Sequence, residues 1–288
     1  MHTLLFKNVK TSYSHTTPSV PGGGNSRGIQ HETKYCTDCD GMRVGSVIVL
    51  CRRERSFGRR SFVKKDQEKG KFVLGLDDSF PPLGFRNEKN EIVGFDIDVA
   101  REVCNRLGVE LVLQVIDWNA KEQELNTGNI DCIWNGFTIT DERKENINFT
   151  EPYLNNAQVA VVKNSSPFNS LADLAGKTVG LQAGSSASDA VNGNVDFAKS
   201  LKAVIEVKDN LTALMDLEIG GVDAVVLDLF VAADNISRSG KDFRIIDEPL
   251  AKEEYGIGFR KNDNALRDKV QELLEGMAKD GSLAKIST

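Results

Sequence analysis

The sequence predicts an α/β fold built as two small lobes, preceded by an extension that belongs to neither. Three observations predict it. From about Phe62 onward, short apolar runs alternate with segments of helical periodicity, the pattern of parallel strands joined by helical crossovers. Ten or more such elements follow one another, more than a single small sheet accommodates. The composition also changes near residue 70, where a basic and irregular segment gives way to an acidic and regular one.

The elements read in order as follows. Lys71–Leu76 is a short apolar strand. Asp96 is placed to cap a helix whose residues Ile97, Ala100, Cys104 and Leu107 recur at helical spacing, with Gly108 as its stop. Leu111–Ile116 is a strand, Lys121–Thr127 a helix stopped by Gly128, and Ile130–Trp134 a strand. The rhythm then repeats, with a helical turn at Leu171–Ala175, a strand at Thr178–Gln182 and a helix starting at Ser186–Val191. Strands at Val204–Val207, Ala224–Leu227 and Phe243–Ile246 alternate with helices at Leu211–Ile219 and Phe230–Ser237. The last helix, Asp263–Lys279, carries Leu266, Val270, Leu273, Leu274 and Met277 on one face.

Residues 1–70 read as a poorly structured extension. They hold 13 Lys and Arg against 6 Asp and Glu, whereas residues 71–288 hold 23 against 36. The acidic body is unsuited to nucleic acid, which demands clustered positive charge. All three histidines, His2, His15 and His31, lie in the extension, so His-based triads and His-ligated metals are excluded from the body. In the extension, Cys36 and Cys39 form one CxxC, and Cys51 with His31 makes a poor completion of a zinc site. The longest apolar run, Val44–Cys51, falls far short of the ~18 residues a membrane span needs. It also lies too far from Met1 to be an export signal's core.

Enzyme motifs fail on inspection. Gly176-Lys177-Thr178 resembles the end of a phosphate loop, but Leu171 stands where its first glycine is required. Gly184-Ser185-Ser186 lacks the second glycine of a nucleophile elbow, and no histidine is present to activate a serine. Cys104 and Cys132 read as buried small hydrophobes, and spacing alone leaves a disulfide between them open.

What remains suits a small zwitterion. After the strand ending at Trp134 come Asn135, Gly136 and Thr138, which offer backbone and hydroxyl donors, then Arg143, a bidentate fork for a carboxylate. Thr140 or Asp141 would cap the helix that carries Arg143; a solvated helix charge is an equally plain reading of that arginine. Asp228 ends a buried apolar strand, where a carboxylate is costly unless a ligand ammonium or a helix N-terminus meets it. Gly184-Ser185-Ser186 opens a helix after Gln182 and makes a second anion site. Phe80 and Trp118 are placed to cover an aliphatic portion.

On these residues, the chain from about 62 to 288 resembles the polar amino-acid solute-binding proteins of ABC importers, the bilobed periplasmic-type receptors. Three stretches carry the likeness: Gly94-Phe-Asp-Ile-Asp-Val-Ala100, Gly136 to Lys144 with Asn148-Phe-Thr-Glu-Pro-Tyr153, and Asp223-Ala-Val-Val-Leu-Asp228. The resemblance implies a type II periplasmic-binding-protein-like fold, with two lobes joined by a two-strand hinge near Tyr153–Val159 and Pro249–Tyr255. Lobe 1 would be residues 71–155 plus 253–288, and lobe 2 residues 156–252. It further implies that Arg143 grips the ligand α-carboxylate, helped by Thr138 and by Ser185 or Ser186. Asp228 and the Gly136 carbonyl would take the α-ammonium, Phe80 and Trp118 would sandwich the side chain, and Asp77 and Gln182 would meet its tip.

The implied function is capture of a polar or basic amino acid outside the cytoplasm, in the periplasm or at the cell surface. The implied partner is an ABC permease; no cofactor is implied, and a monomer is expected. Asp77 with Asp78, and the Trp118 face, favour lysine or arginine, with glutamine and cystine close behind. The rival reading is a dehydratase-like enzyme on the same scaffold, with Asp77, Asp78 or Asp228 as its acid. A sensory input domain is a third. The basic extension stands where the family carries its export signal, and the chain stops at Ile286-Ser-Thr288 without the family's Lys-Trp-Phe-Gly-like ending. A displaced start and a shortened end are expected.

Overall fold

The computed structural model describes residues 70–287. The zinc possibility at Cys36 and Cys39, and the extension apart from Gly70, lie outside the described residues. The first half runs β1 (Lys71–Leu76), β2 (Ser79–Phe80), β3 (Gly84–Arg86), β4 (Ile92–Val93), α1 (Phe95–Leu107) and β5 (Glu110–Val115). A 3₁₀ turn at Trp118–Ala120 leads into α2 (Lys121–Thr127), then β6 (Cys132–Ile133), α3 (Asp141–Asn146) and β7 (Ile147–Phe149). The long β8 (Leu154–Lys163) opens the second half, followed by a 3₁₀ turn at Leu171–Leu174, β9 (Thr178–Gln182), α4 (Ser186–Gly193) and α5 (Val195–Ser200). Next come β10 (Ala203–Val207), α6 (Asn210–Ile219), β11 (Ala224–Asp228), α7 (Leu229–Ser239) and β12 (Phe243–Ile245). The chain returns through β13 (Ala251–Tyr255) and β14 (Gly258–Arg260) to α8 (Asn264–Asp280) and α9 (Ser282–Ile286).

The first large sheet has the order β5-β1-β6-β14-β7 and the second β10-β9-β11-β8-β12, with β13 also on β8. β14 lies antiparallel between β6 and β7, so the first sheet combines an early and a late chain segment. The two segments that link the sheets pair with each other, Leu154–Gln158 of β8 against Tyr255–Ala251 of β13. This is the two-strand connection expected between lobes. Each sheet has its own core. In the first, Ile97, Ala100 and Val103 of α1 and Leu266, Val270 and Met277 of α8 pack with Phe72, Leu74 and Leu76. Each of the larger side chains here contributes roughly 1.5–3 kcal/mol on burial, Ala100 less. The second sheet is covered on both faces, by α6 on one side and by the Leu171–Leu174 turn and α4 on the other. That double burial explains the unbroken apolar runs in β8 and β11.

Several expectations need correction. Asp96 is not a cap: α1 starts at Phe95 behind Gly94, without a side-chain cap. Gly94 has φ 136°, and a Cβ there would lie 2.3 Å from the Leu83 carbonyl oxygen, so only glycine allows this helix start. Asp96 instead turns inward and is fully buried. The expected helix at Leu171–Ala175 is a single 3₁₀ turn, and the strand at Ile130–Trp134 shrinks to two residues. The β2-β3-β4 sheet and α5 were not foreseen, because two- and three-residue strands are too short to show a period. Cys104 and Cys132 are free, buried thiols. Burial pushes the Cys104 thiol up to about 12, which leaves it unreactive. No described helix is long and apolar enough to cross a membrane.

Candidate functional site

The loops after β6, β9 and β11 come together where the ends of the two large sheets face each other. In the loop after β6, Gly136 has φ 57°, and a Cβ there would approach Leu83 and Phe80 to 2.7 and 2.8 Å. A glycine is therefore required where the backbone passes closest to the aromatic wall. Its N–H donates to Asp96 at 2.8 Å, and the Tyr153 hydroxyl donates to the same carboxylate at 2.9 Å. The Gly136 N–H expected to serve a ligand is thus committed to the protein. Burial pushes the Asp96 carboxyl up to about 7, against the opposing pull of these donors.

Thr140 caps α3 by accepting from the Arg143 N–H at 3.1 Å, which fixes the first turn and aims the arginine inward. Arg143 is only 7% exposed, so it is not a solvated helix charge. Its guanidinium lies over the Phe137 ring at 4.9 Å and donates to the Thr138 carbonyl at 3.0 Å and to Asp189 at 3.3 Å. From the second sheet, Ser186 opens α4, with its Oγ 3.0 Å from Thr138 Oγ1. Asp228 ends β11, immediately before α7, yet its side chain makes no capping bond. It accepts from Asn156 Nδ2 at 2.7 Å and from the Tyr255 hydroxyl. Burial, and then the neighbouring Glu253 carboxylate, push Asp228 up to about 8.

One cavity is lined by Phe80, Trp118, Gly136, Thr138, Arg143, Ser186 and Asp228, all of them singled out in the sequence. The structure brings the cationic and acidic anchors to a single space, from opposite sheets. Four other candidates stand apart from its lining. Asp77 accepts from Gln182 Nε2 at 2.7 Å, so these two form a bridge between the halves. Ser185 spends its hydroxyl on the Gln182 carbonyl at 2.6 Å, leaving Ser186 as the serine of the cavity. The buried Asn135 amide has no hydrogen-bond partner among the described residues.

Sequence reasoning missed Lys121, Asn156, Gln158, Glu253 and Tyr255. Lys121 is buried, and its Nζ donates across to the Gly184 carbonyl at 2.9 Å. Burial and the nearby Arg143 pull its pKa down to about 8. Asn156 and Gln158 did carry a signal, since they stand two apart at the start of a strand that continues as the apolar run Val159–Val162, and so share one face. Among the described residues no group of side chains could hold a metal ion.

The sequence matches the family described as bacterial extracellular solute-binding proteins, family 3, over residues 72–288. The chain belongs to that family. Among curated relatives of this family 3 chain, the L-cystine-binding protein TcyJ of Escherichia coli (strain K12) is 29% identical over 235 residues, covering 81% of this chain and 87% of TcyJ. A crystal structure of an ABC uptake transporter substrate-binding protein from Streptococcus pneumoniae, with bound histidine, superposes with a TM-score of 0.76. It is 35% identical and covers 78% of this chain and 93% of that one. The structure of Tv2483 bound to L-arginine gives a TM-score of 0.73 at 36% identity, covering 78% of this chain and 91% of its own. The fold is therefore the type II periplasmic-binding-protein arrangement, and this family 3 member is an amino-acid solute-binding receptor of the kind that serves ABC importers.

Proposed function

We propose that the cavity holds one polar or basic amino acid by both ends, with Arg143 on its α-carboxylate and Asp228 on its α-ammonium. The carrying observation is that these opposite charges line one cavity from different sheets. Thr138 and Ser186 would add hydroxyl contacts at the carboxylate end, and the Gly136 carbonyl would face the ammonium. Phe80 and Trp118 would cover the side chain. Its tip would point to Asp77 and Gln182, with Asn135 and Ser185 supporting the loops behind. Residues 71–155 with 253–288, and 156–252, would act as the two lobes of a clamshell that closes on the ligand. Contacts from both sides supply the differential affinity that closure requires.

In this reading the protein is a monomeric receptor outside the cytoplasm, in the periplasm or at the cell surface. It is not an enzyme and needs no cofactor, and it hands its ligand to an ABC permease. Of the three acids a dehydratase-like reading could use, Asp78 is held in an ion pair by Arg86 and Asp77 by Ser79 and Gln182, which leaves to it only the raised Asp228, assigned here to the ammonium. The ligands named for these relatives, cystine, histidine and arginine, are all polar amino acids. Titration calorimetry of the full chain against the common amino acids and cystine is the test. A polar or basic member should bind at micromolar affinity or tighter, about −8 kcal/mol. Silence across the panel would overturn the reading.

A further inference from the structure

Next to Asp228, a second carboxylate, Glu253, stands just outside the cavity lining and shares an amide donor with it. Asp228 on β11 sits opposite Gln158 of β8 in the strand register, and Glu253 on β13 sits opposite Asn156. Residues two apart in a strand share a face, so all four side chains converge on one face of the second sheet. Asn156 Nδ2 donates to both acids, to Asp228 Oδ1 at 2.7 Å and to Glu253 Oε1 at 2.6 Å. Gln158 Nε2 adds a bond to Glu253 Oε1 at 2.8 Å. The donors that hold these two acids are thus neutral amides, joined by the Tyr255 hydroxyl on Asp228 and by Ser186 Oγ, 3.4 Å from Glu253.

The charged and titratable groups facing the pair are few. Tyr255, from β13, has its phenol pushed well above the usual range, first by burial and then by Asp228, so it remains a donor. Arg143, from α3, is the cation whose field reaches both acids, but its guanidinium is directed to the Thr138 carbonyl and Asp189. β8 contributes only the amides, and α4 only Ser186. A buried carboxylate, Asp228, and a half-buried one, Glu253, bridged by one amide and without a cation of their own disfavour double ionisation.

We propose that Glu253 is the second carboxylate of the ammonium anchor: the empty pair shares one proton and releases it to solvent when a ligand ammonium is captured. The inference rests on the amino-acid receptor reading given above. The balance is simple. The ligand enters as an ammonium and stays one, both carboxylates become ionised against it, and the displaced proton leaves to buffer. Affinity should then strengthen with pH while the shared proton is held and level off as pH passes the raised Asp228 titration near 8. The arrangement also discriminates by charge. A primary ammonium has donors for both acids, whereas an N-acylated amino acid brings no charge to replace the proton.

The test is titration calorimetry of the full chain with its best amino acid at pH 6.5, repeated in buffers of different ionisation enthalpy. The wild type should release about one proton per ligand, with affinity rising toward tenfold per pH unit below the titration. Glu253→Gln, which keeps Oε1 as an acceptor, should lower the release measurably below the wild type's and shift the pH profile to lower pH, the part due to burial of Asp228 remaining; Glu253→Ala serves if that variant does not fold. Binding by the wild type without proton release overturns this inference alone, as does release that is the same in the variant as in the wild type. No binding by the wild type to any amino acid overturns the receptor reading and this inference with it.

Discussion

The Arg143 guanidinium leaves one side open to the cavity, while the Thr138 carbonyl and the half-exposed Asp189 occupy other donors. Removing it would leave a ligand carboxylate buried without a charged partner, which costs about 3 kcal/mol or more. Arg143→Ala should therefore weaken binding at least ~100-fold by calorimetry, while circular dichroism shows the fold retained. At this scale the sequence was most informative where chemistry is local. Arg143 follows a capping threonine and Asp228 ends an apolar strand, so each is conspicuous in its own neighbourhood. Glu253 and Lys121 are ordinary charges in ordinary surroundings. Their importance comes from partners 95 residues and 63 residues away, Gln158 and the Gly184 carbonyl, which no local pattern displays.

Among elements, the tie between α1 and the cavity loop runs through Asp96, buried against the Gly136 N–H and the Tyr153 hydroxyl. Its folded-state carboxyl titrates near 7, above the ordinary value of 3.8. A raised carboxyl contributes stability that is fully present below the ordinary value and is lost as pH rises through about 7. Asp96→Asn removes that dependence. The melting temperature of the variant minus that of the wild type should thus increase steadily from pH 4.5 to 7.5; a constant difference would contradict the assignment. The strands and helices themselves were largely legible because both lobes bury continuous apolar runs and helical stripes. Asp96 was misread because a carboxylate at a helix start usually caps. Here Gly94 alone permits the close turn, which frees Asp96 to face inward.

At the scale of the whole molecule, contacts among the described residues that join the facing ends of the two halves include Asp77 to Gln182, Thr138 to Ser186, Lys121 to the Gly184 carbonyl, and Arg143 to Asp189. Thr138, Ser186 and Arg143 of these contacts also line the cavity, so the proposed closure would enclose a ligand as it brings the halves together. The two-segment first sheet and the paired β8 and β13 give the halves a connection about which to move. A crystal structure of the protein grown with the amino acid that binds best tests this most directly. It should place the ligand carboxylate on the Arg143 guanidinium and its ammonium between Asp228 and Glu253, with the side chain between Phe80 and Trp118. A ligand seated elsewhere, or touching only one half, would contradict the account.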